Sequence, residues 1–449
     1  MLGAYANSIK IPELRKRILF TLGILALCRL AAGIPCPGLN AAELGRLFTE
    51  LQKGGGGLLN IFNLFSGGAL QKFAVGTLGI MPYITASIIM QLLMPVIPAL
   101  EKLRREGESG RQKINQYTRY LTLAVCVVHG TAAVQFMVSP GAMLPGAETY
   151  EIVKNPGIGF GITTVIFLAA GTMLLVWLGE QISDRGIGNG ISLIITINIL
   201  SRLPSAVNGL IALAQGGATG GGNIIKVFIL LIMFFVVCAA AVALTQGHRK
   251  IPIRHARRTA GRQMGAGQTS YLPLRVNYSG VMPIIFGSAI LMFPAMILPR
   301  FKITERFAQY FQYGEPPYMI AFGVVIILFS FFWVATQFKP TQIADNLQKQ
   351  GGYIPGIRPG QPTAVFLDNT MSRLTLAGAV FLTAIAVLPM ILSGALFNIP
   401  PSVASFFGGT SLLIMVGVVL DTMRQIEAYL LSHHYDGFMK KGKLRSRSR

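Results

Sequence analysis

The stretch LLNIFNLFSGGALQKFAVGTLGIMPYITASIIMQLLMPVIP, residues 58–98, decides the fold of this 449-residue chain. Its first part is apolar but too short to cross a bilayer, whereas residues 73–98 form an uncharged run long enough to span one. Glycine, proline and polar residues interrupt that run, and they are tolerated at membrane depth where a helix faces protein or water. The stretch therefore predicts a pore-lining helix preceded by a short re-entrant helix.

The composition of the whole chain is that of a membrane protein. Hydrophobic residues make up 52% of the sequence and charged residues only 12%, which excludes an ordinary soluble domain and a disordered chain. We therefore expect an all-α polytopic membrane protein with ten transmembrane helices. The predicted spans lie near residues 18–34, 74–97, 120–139, 159–179, 189–208, 225–245, 280–299, 318–338, 374–394 and 403–422.

Basic residues are distributed unequally between the two sets of loops. The loops on the side of the two termini hold 29 of the 39 Lys and Arg residues, and the opposite loops hold 9. Loops rich in Lys and Arg stay in the cytoplasm, so both termini are expected to be cytoplasmic. The remaining basic residue, Arg29, is the one clear charge within a predicted span, and we expect it to snorkel to the outer interface.

The ten spans divide into two halves of five. The predicted organisation is an N-terminal half at 1–208, a C-terminal half at 209–434 and a basic cytoplasmic tail at 435–449. Because five is odd, the second half enters the membrane from the opposite side, which predicts two inverted halves with the working site between them at the membrane midplane. Ten helices without internal symmetry remain the alternative.

Two long cytoplasmic loops lie in the second half, at 246–277 and 339–373. The first contains no Asp or Glu, which favours binding of a polyanion or an acidic protein surface, although enforcement of topology also explains part of this bias. The second contains GGYIPGIRPGQPT, whose glycines and prolines predict a rigid protruding tip around Arg358 that is suited to docking. The basic residues of the first loop are Arg249, Lys250, Arg254, Arg257, Arg258, Arg262 and Arg275.

Residue patterns typical of catalysis, metal binding or ion coupling are missing from the sequence. The five histidines have no metal-ligand spacing, and no nucleophile motif or nucleotide site is visible, so no metal, cofactor or enzymatic activity is expected. Glu180 and Asp421 lie at the ends of predicted spans, which leaves the span interiors without carboxylates. Ion-coupled transporters usually keep such a group at membrane depth, so a passive, gated pathway is favoured.

Isoleucine spacing indicates what closes that pathway. Ile80 and Ile84 lie four residues apart in the second span, as do Ile191 and Ile195 in the fifth, so each pair projects from one face of its helix. Facing pairs would form an apolar ring that resists wetting and blocks ions. The alternative is ordinary packing against lipid or a neighbouring helix.

Several motifs, in order along nearly the whole chain, make this sequence resemble the SecY family of Sec protein-translocation channels. The first two are FNLFSGGAL at 62–70 and GIMPYITASIIMQLL at 79–93. The others are EGESGRQKINQYTRY at 106–120, WLGEQISDRGIGNGIS at 177–192, LPLRVNYSGVMPIIF at 272–286, ADNLQKQGGYIPGIRPG at 344–360 and FGGTSLLIMVGVV at 407–419. The resemblance implies a channel that passes unfolded secretory polypeptides and releases transmembrane segments sideways into lipid.

The resemblance also implies roles for residues at matching positions. The ring that closes the central pore would consist of Ile80, Ile84, Ile191, Ile195, Ile285 and Ile414. The plug, a re-entrant helix at about 58–70, would include Leu58, Leu59, Ile61, Phe62, Asn63, Leu64, Phe65, Ser66, Gly67 and Gly68. Thr85 and Phe293 would face each other across a lateral gate, between the second and third spans on one side and the seventh and eighth on the other. Signal sequences and membrane segments of nascent polypeptides would pass through this gate into the bilayer.

The expected partners follow from the same resemblance. In this family the cytoplasmic loops receive the ribosome or the SecA motor ATPase, and the matching residues are Arg257, Arg258, Arg262 and Arg358, with Gln263 where a second arginine often follows. Small membrane subunits of the SecE and SecG type and a location in the bacterial plasma (inner) membrane are also implied. The runner-up function is a secondary transporter of a small solute, and a membrane-embedded enzyme is a more distant alternative.

Overall fold

The structure is a computed structural model that describes residues 11–53, 66–140, 150, 152–215, 224–255, 269–297, 315–393, 399, 401–407 and 409–441. The described part of the chain is mostly helical. It divides into two compact units, the first formed by Met1–Ser205 with Val418–Arg449 and the second by Ala206–Gly417. That the two predicted halves are inverted stays a prediction.

The first unit contains most of the N-terminal helices. They are α1 (Pro12–Ala31), α2 (Ala41–Lys53), α3 (Ala69–Lys72), α4 (Met81–Leu93), α5 (Pro98–Arg105), α6 (Glu108–Val138), α7 (Ile158–Arg185) and α8 (Gly190–Leu200). Helix α7 is central to this unit, because α1, α4, α6 and α8 all pack against it. An apolar core lies where the N-terminal part of α7 meets the neighbouring loops and helices, and it includes Leu44, Phe73, Phe136 and Leu168.

The helix of the second predicted span is shorter than the sequence indicated. Its apolar run starts at Phe73, but α4 begins only at Met81. Gly79 has a φ of 57°, a left-handed conformation that ends any regular helix, and Pro82 then occupies the first turn of α4, where a proline is tolerated. Beyond α4 the chain bends by 97° into α5.

The run RGIGNG, residues 185–190, forms the turn between α7 and α8. Gly188 has a φ of 88°, and the Asn189 side chain accepts hydrogen bonds from the backbone N–H groups of Ile191 and Ser192. An asparagine N-cap of this kind satisfies two donors that a helix start otherwise leaves unpaired. It thereby fixes where α8 begins.

The second unit contains helices and a small sheet. Helix α9 (Leu203–Ala214) leads into it, and α16 (Thr410–Lys441) leads out of it into the first unit. Between them lie α10 (Ile224–Gln246), β1 (His248–His255), β2 (Thr269–Arg275), α11 (Met282–Ile297), α12 (Pro316–Gln337), α13 (Pro340–Lys349), β3 (Gly352–Tyr353), α14 (Gln361–Ser393) and α15 (Pro401–Phe407).

The three strands form an antiparallel sheet in the order β2-β1-β3. Strand β1 pairs with β2 along its length, from His248 opposite Arg275 to Arg254 opposite Thr269. Its far end pairs with β3, where Arg254 lies opposite Tyr353. The sequence did not predict these strands, and they connect the two segments that were expected to be separate loops.

Six helices within the described ranges are long and apolar enough to cross a membrane, and the bent pair of α4 and α5 gives a seventh if it counts as one span. The six are Glu108–Val138, Ile158–Arg185, Gly190–Ala214, Ile224–Gln246, Pro316–Lys349 and Gln361–Leu392. Here Gly190–Ala214 combines α8 with α9, and Pro316–Lys349 combines α12 with α13. The polytopic α-helical class is therefore confirmed. The count of ten spans fits it and stays a prediction.

Candidate functional site

The first isoleucine pair lies at the start of α4. Ile80 is the N-cap residue, and its carbonyl accepts the backbone N–H of Ile84 at 3.0 Å, so the two side chains lie one turn apart on one face of the helix. Both side chains are buried. The positive φ of Gly79 and the proline at position 82 position this pair, because together they decide where the helix begins.

The second pair lies at the start of α8. Ile195 is buried and Ile191 is half-buried. Two glycines allow α8 to approach α7 closely: a Cβ atom on Gly190 would overlap the Gly179 carbonyl, and one on Gly179 would lie 3.2 Å from Ile191 Cγ1. The register of this pair is therefore fixed by backbone contact with α7.

The segment that precedes α4 approaches the same helix. A Cβ atom on Gly171 of α7 would overlap the carbonyl and the side chain of Val75. Both pairs thus belong to elements that rest on α7, less than about three helical turns apart along it. That the two pairs face each other stays a prediction.

The other two predicted ring residues belong to the second unit. Ile285 in α11 and Ile414 in α16 are both buried. Gly417 approaches Val281, since a Cβ atom on this glycine would lie 3.8 Å from Val281 Cγ1. Each isoleucine lies about one helical turn from that contact. If α11 and α16 are antiparallel, as the span order predicts, Ile285 and Ile414 lie at a similar depth.

Most of the predicted plug, 58–65, lies outside the described residues. Its last three residues, Ser66, Gly67 and Gly68, are described, and the first two are buried. The Gly67 carbonyl accepts a hydrogen bond from Arg29 Nη2 at 3.1 Å, and Arg29 Nη1 donates to Asn198 Oδ1 at 3.2 Å. The Arg29 guanidinium therefore has partners within the protein. That it reaches the outer interface stays a prediction.

The predicted gate residues are described to different extents. The half-buried Thr85 in α4 donates its hydroxyl to the Met81 carbonyl at 3.0 Å. Phe293 belongs to α11, but its side chain lies outside the described part of the structure. The helices that flank the predicted gate are packed pairs within their own units, α4 with α6 and α11 with α12. Their opening along a common seam stays a prediction.

One face of the sheet is basic and exposed. Alternation along the strands places Ile251, Ile253 and Leu274 on the opposite, buried face. The exposed face carries Lys250, Arg254, Arg275, Tyr271 and Tyr353. This set is termed the basic face. Arg257, Arg258 and Arg262, which were predicted to dock a partner, lie outside the described residues.

The fourth predicted docking residue, Arg358, is exposed next to the basic face. Its loop is anchored by Ile354, which is buried in an apolar cluster with Ile251, Leu274 and Phe338. The Thr363 hydroxyl donates to the Arg358 carbonyl at 2.8 Å, which fixes the backbone at the tip. The Gly/Pro loop and the basic loop, predicted separately, thus form one body.

Candidate metal ligands do not cluster among the described residues. No cluster of three His, Cys, Asp or Glu residues positioned to hold a metal ion occurs there. Glu180, which the sequence placed at a helix end, forms a bidentate ion pair with Arg119 at 3.0 and 2.6 Å, linking α7 to α6. This carboxylate therefore has a structural partner.

Comparisons with known proteins point to one family. A family model described as SecY matches residues 74–423. Protein translocase subunit SecY of Chlamydia trachomatis is 44% identical over 450 residues, which cover 97% of this chain and 98% of the relative.

Two solved structures are also similar. One is a SecY structure whose plug domain is described as stabilising the closed state of the translocation channel and maintaining a membrane seal. It has a TM-score of 0.60 and 20% identity, and the match covers 93% of this chain and 92% of that chain. The other is Sec61 in the canine ribosome-channel complex from the endoplasmic reticulum. It has a TM-score of 0.57 and 19% identity, and the match covers 93% of this chain and 92% of that chain. At these identities the structural likeness shows the fold.

Proposed function

The chain belongs to the SecY family, and from that premise we propose that it forms the channel through which unfolded polypeptides cross a membrane. The observation that carries this function is the pair of isoleucine positions in each of α4 and α8, with Ile80, Ile84 and Ile195 buried and both helices packed on α7. A protein-conducting pore must be closed to ions and yet accept every kind of side chain. Branched apolar residues meet both requirements, because they resist wetting and can move aside.

The ring would be completed by Ile285 and Ile414 from the second unit. A translocating chain threads the ring in an extended form, and the six side chains fit around it as a gasket. No specific binding site is needed, since contact with methyl groups does not discriminate strongly among side chains. The plug at 58–70 would add a second barrier on the outer side of the ring.

Membrane proteins would leave the channel sideways between the helices that carry Thr85 and Phe293. A segment that is apolar enough gains free energy by moving from the aqueous pore into lipid, whereas a polar segment continues outward. The gate therefore needs only to give a segment in the pore access to the lipid. Membrane segments are then separated from secreted segments by their partition between the aqueous pore and the lipid.

The basic face and Arg358 would receive the partner that drives transport. Lys250, Arg254 and Arg275 are exposed on one side of the sheet, and 246–277 contains no acidic residue. Such a surface attracts RNA phosphates as well as acidic protein surfaces. A ribosome or a SecA motor ATPase fits this chemistry, and the energy for transport would come from that partner because this subunit is not itself an enzyme.

The chain is a multi-pass membrane protein, and we place it in the bacterial plasma membrane with both termini in the cytoplasm. The excess of Lys and Arg on the side of the termini supports this orientation. Small membrane subunits of the SecE and SecG type would accompany it.

Reconstitution tests this function directly. Vesicles that contain the purified complex are given a secretory precursor and a motor ATPase or ribosomes, and precursor protected from external protease is measured. Protected precursor is expected only when a driving partner is present. Coupled uptake of a small solute without any partner, together with no protected precursor, would support the secondary transporter instead.

A further inference from the structure

The turn between α7 and α8 is held by side chains of other helices, and its position decides where α8 begins. We propose that Thr21 of α1 and Gln425 of α16 are positioning residues that hold this turn, residues 186–190, and thereby keep Ile191 and Ile195 in the register that seals the channel. The turn and both positioning residues belong to the first unit. This inference rests on the proposed ring and assigns a role in sealing to two residues outside it.

Two consecutive amides of the turn donate to side chains of distant helices. The Ile187 N–H donates to Thr21 Oγ1 at 3.1 Å, and the Gly188 N–H donates to Gln425 Oε1 at 3.0 Å. A turn between two helices lacks the regular backbone pairing of a helix or a sheet, so its polar groups need partners of another kind. The two side-chain acceptors therefore help to decide which conformation the turn adopts.

Both acceptors are themselves oriented by neighbours. Thr21 is buried, and its hydroxyl donates to the Arg17 carbonyl at 2.9 Å, so towards the turn it acts only as an acceptor. The Gln425 Nε2 group donates to Asp421 Oδ2 at 3.5 Å, which directs the amide oxygen towards the turn. Each contact with the turn thus has a second hydrogen bond behind it.

Glycines allow both helices to approach the turn closely. A Cβ atom on Gly186 would lie 2.5 Å from Thr21 Oγ1, and one on Gly188 would lie 3.1 Å from Thr422 Oγ1 of α16. Gly188 also has a φ of 88°, in the left-handed region that favours glycine. The turn therefore has little room to shift while α1 and α16 stay in place.

The two helices that hold the turn also contact each other. Arg17 Cζ of α1 lies 4.8 Å from the centroid of the Tyr429 ring of α16, a cation–π contact. On each helix this contact is four residues, about one turn, from the residue that accepts from the turn. Arg17 therefore supports the arrangement twice, through its carbonyl on Thr21 and through its guanidinium on Tyr429.

The turn is directly connected to the isoleucine pair. Ile191 is the second residue of α8, and its N–H donates to the side chain of Asn189 within the turn. Successive residues of a helix point about 100° apart, so a change of one residue in the start of α8 would direct Ile191 and Ile195 away from their present face. Loss of an acceptor leaves a turn amide unpaired, which favours other conformations of the turn.

The test is the ion leak of vesicles that contain the assembled complex at rest, with no driving partner. Thr21→Val keeps the shape of the side chain but removes the acceptor, and it is expected to raise the leak about tenfold, the change in population that follows from one unpaired amide. Gln425→Leu should raise the leak in the same direction. Thr21→Ser keeps the hydroxyl and should keep the seal. Thr163→Val is the matched control, because the Thr163 hydroxyl bonds only to carbonyls of its own helix, α7.

Hydrogen exchange of 186–192 in the same variants reports on the turn itself. Exchange is expected to be faster in Thr21→Val and Gln425→Leu and unchanged in Thr163→Val. Faster exchange together with a wild-type leak would show that the contacts hold the turn without positioning the ring, and it would overturn the proposal.

Further results separate this proposal from the ring on which it rests. A wild-type leak in both Thr21→Val and Gln425→Leu, while the combined Ile84→Ser and Ile195→Ser variant leaks, would overturn the positioning role and leave the ring intact. An equal leak in Thr21→Ser and Thr21→Val, or a leak of the same size in Thr163→Val, would also overturn it. A combined isoleucine variant that stays ion-tight would instead remove the ring.

Discussion

Replacement of Ile354 by Ala is expected to loosen the three-stranded sheet without changing any of its charges. Ile354 is 4% exposed and packs with Ile251, Leu274 and Phe338 under the sheet. The substitution removes three carbon atoms from this cluster. At about 0.8 kcal/mol for each buried carbon the loss is about 2.4 kcal/mol, and the cavity left behind adds to it.

The substitution lowers the free energy of local opening of the sheet by this amount, because the cluster links the strands to α12 and α14. A change of 2.4 kcal/mol corresponds to a roughly 50-fold larger open population. Hydrogen exchange of the β1 and β2 amides, followed by mass spectrometry on the intact complex, measures that population. Amides of α7, in the other unit, serve as the internal reference.

Tyr353→Ala provides the matched control. Tyr353 neighbours Ile354 and is larger, but it is 39% exposed on the basic face and contributes little to the buried cluster. Its replacement should leave exchange of β1 and β2 nearly unchanged. Equal exchange in Ile354→Ala and the unaltered chain, or equal acceleration by the two substitutions, would refute the view that this cluster holds the basic face in place.

Three further predictions concern docking, the gate and a buried thiol. Arg358→Glu should impair partner-driven transport while the complex still assembles, because it reverses a charge on the exposed tip; unchanged transport would remove Arg358 from the docking surface. A disulfide between cysteines introduced at Thr85 and Phe293 should stop membrane insertion, and normal insertion with the bond formed would contradict the gate assignment. Burial raises the pKa of the Cys36 thiol, so less thiolate is present at neutral pH and alkylation should be slow compared with that of an exposed cysteine; a rapid reaction in the intact complex would show that the loop opens.

The sequence predicted the helical spans better than their ends. Ten apolar runs gave the polytopic class, because the need to satisfy backbone groups in lipid leaves helices as the main solution. The start of α4 was missed, since the uncharged run continues through Phe73 and Val75 although the left-handed Gly79 prevents a helix there. Hydrophobicity alone does not show where a helix begins.

The sequence analysis missed the sheet for two reasons: the alternating pattern of β1 contains a proline, and β3 pairs with β1 from a distant part of the sequence. Ile251 and Ile253 do alternate with exposed residues, which is the period of a half-buried strand. Pro252 and Pro273 obscure this strand pattern, since proline cannot donate to a ladder. The pairing of Arg254 with Tyr353 joins positions far apart in the chain, and no local pattern reports such a contact.

The contacts of Arg29 were also beyond prediction from the sequence. Its partners, Gly67 and Asn198, are 38 and 169 positions away. A lone arginine near the end of a span ordinarily reaches the interface, which made snorkelling the reasonable expectation. Asn198 has no special spacing in the sequence, and only the packed arrangement of α1 and α8 reveals it.

We propose that an isoleucine ring closes the resting channel to ions. The most direct measurement is the ion leak of vesicles that contain the assembled complex with Ile84→Ser and Ile195→Ser combined. Ile166→Ser serves as the control, because Ile166 is an exposed residue of α7. We predict a large leak in the double variant and a wild-type seal in the control. A double variant that assembles normally and stays ion-tight would contradict the ring.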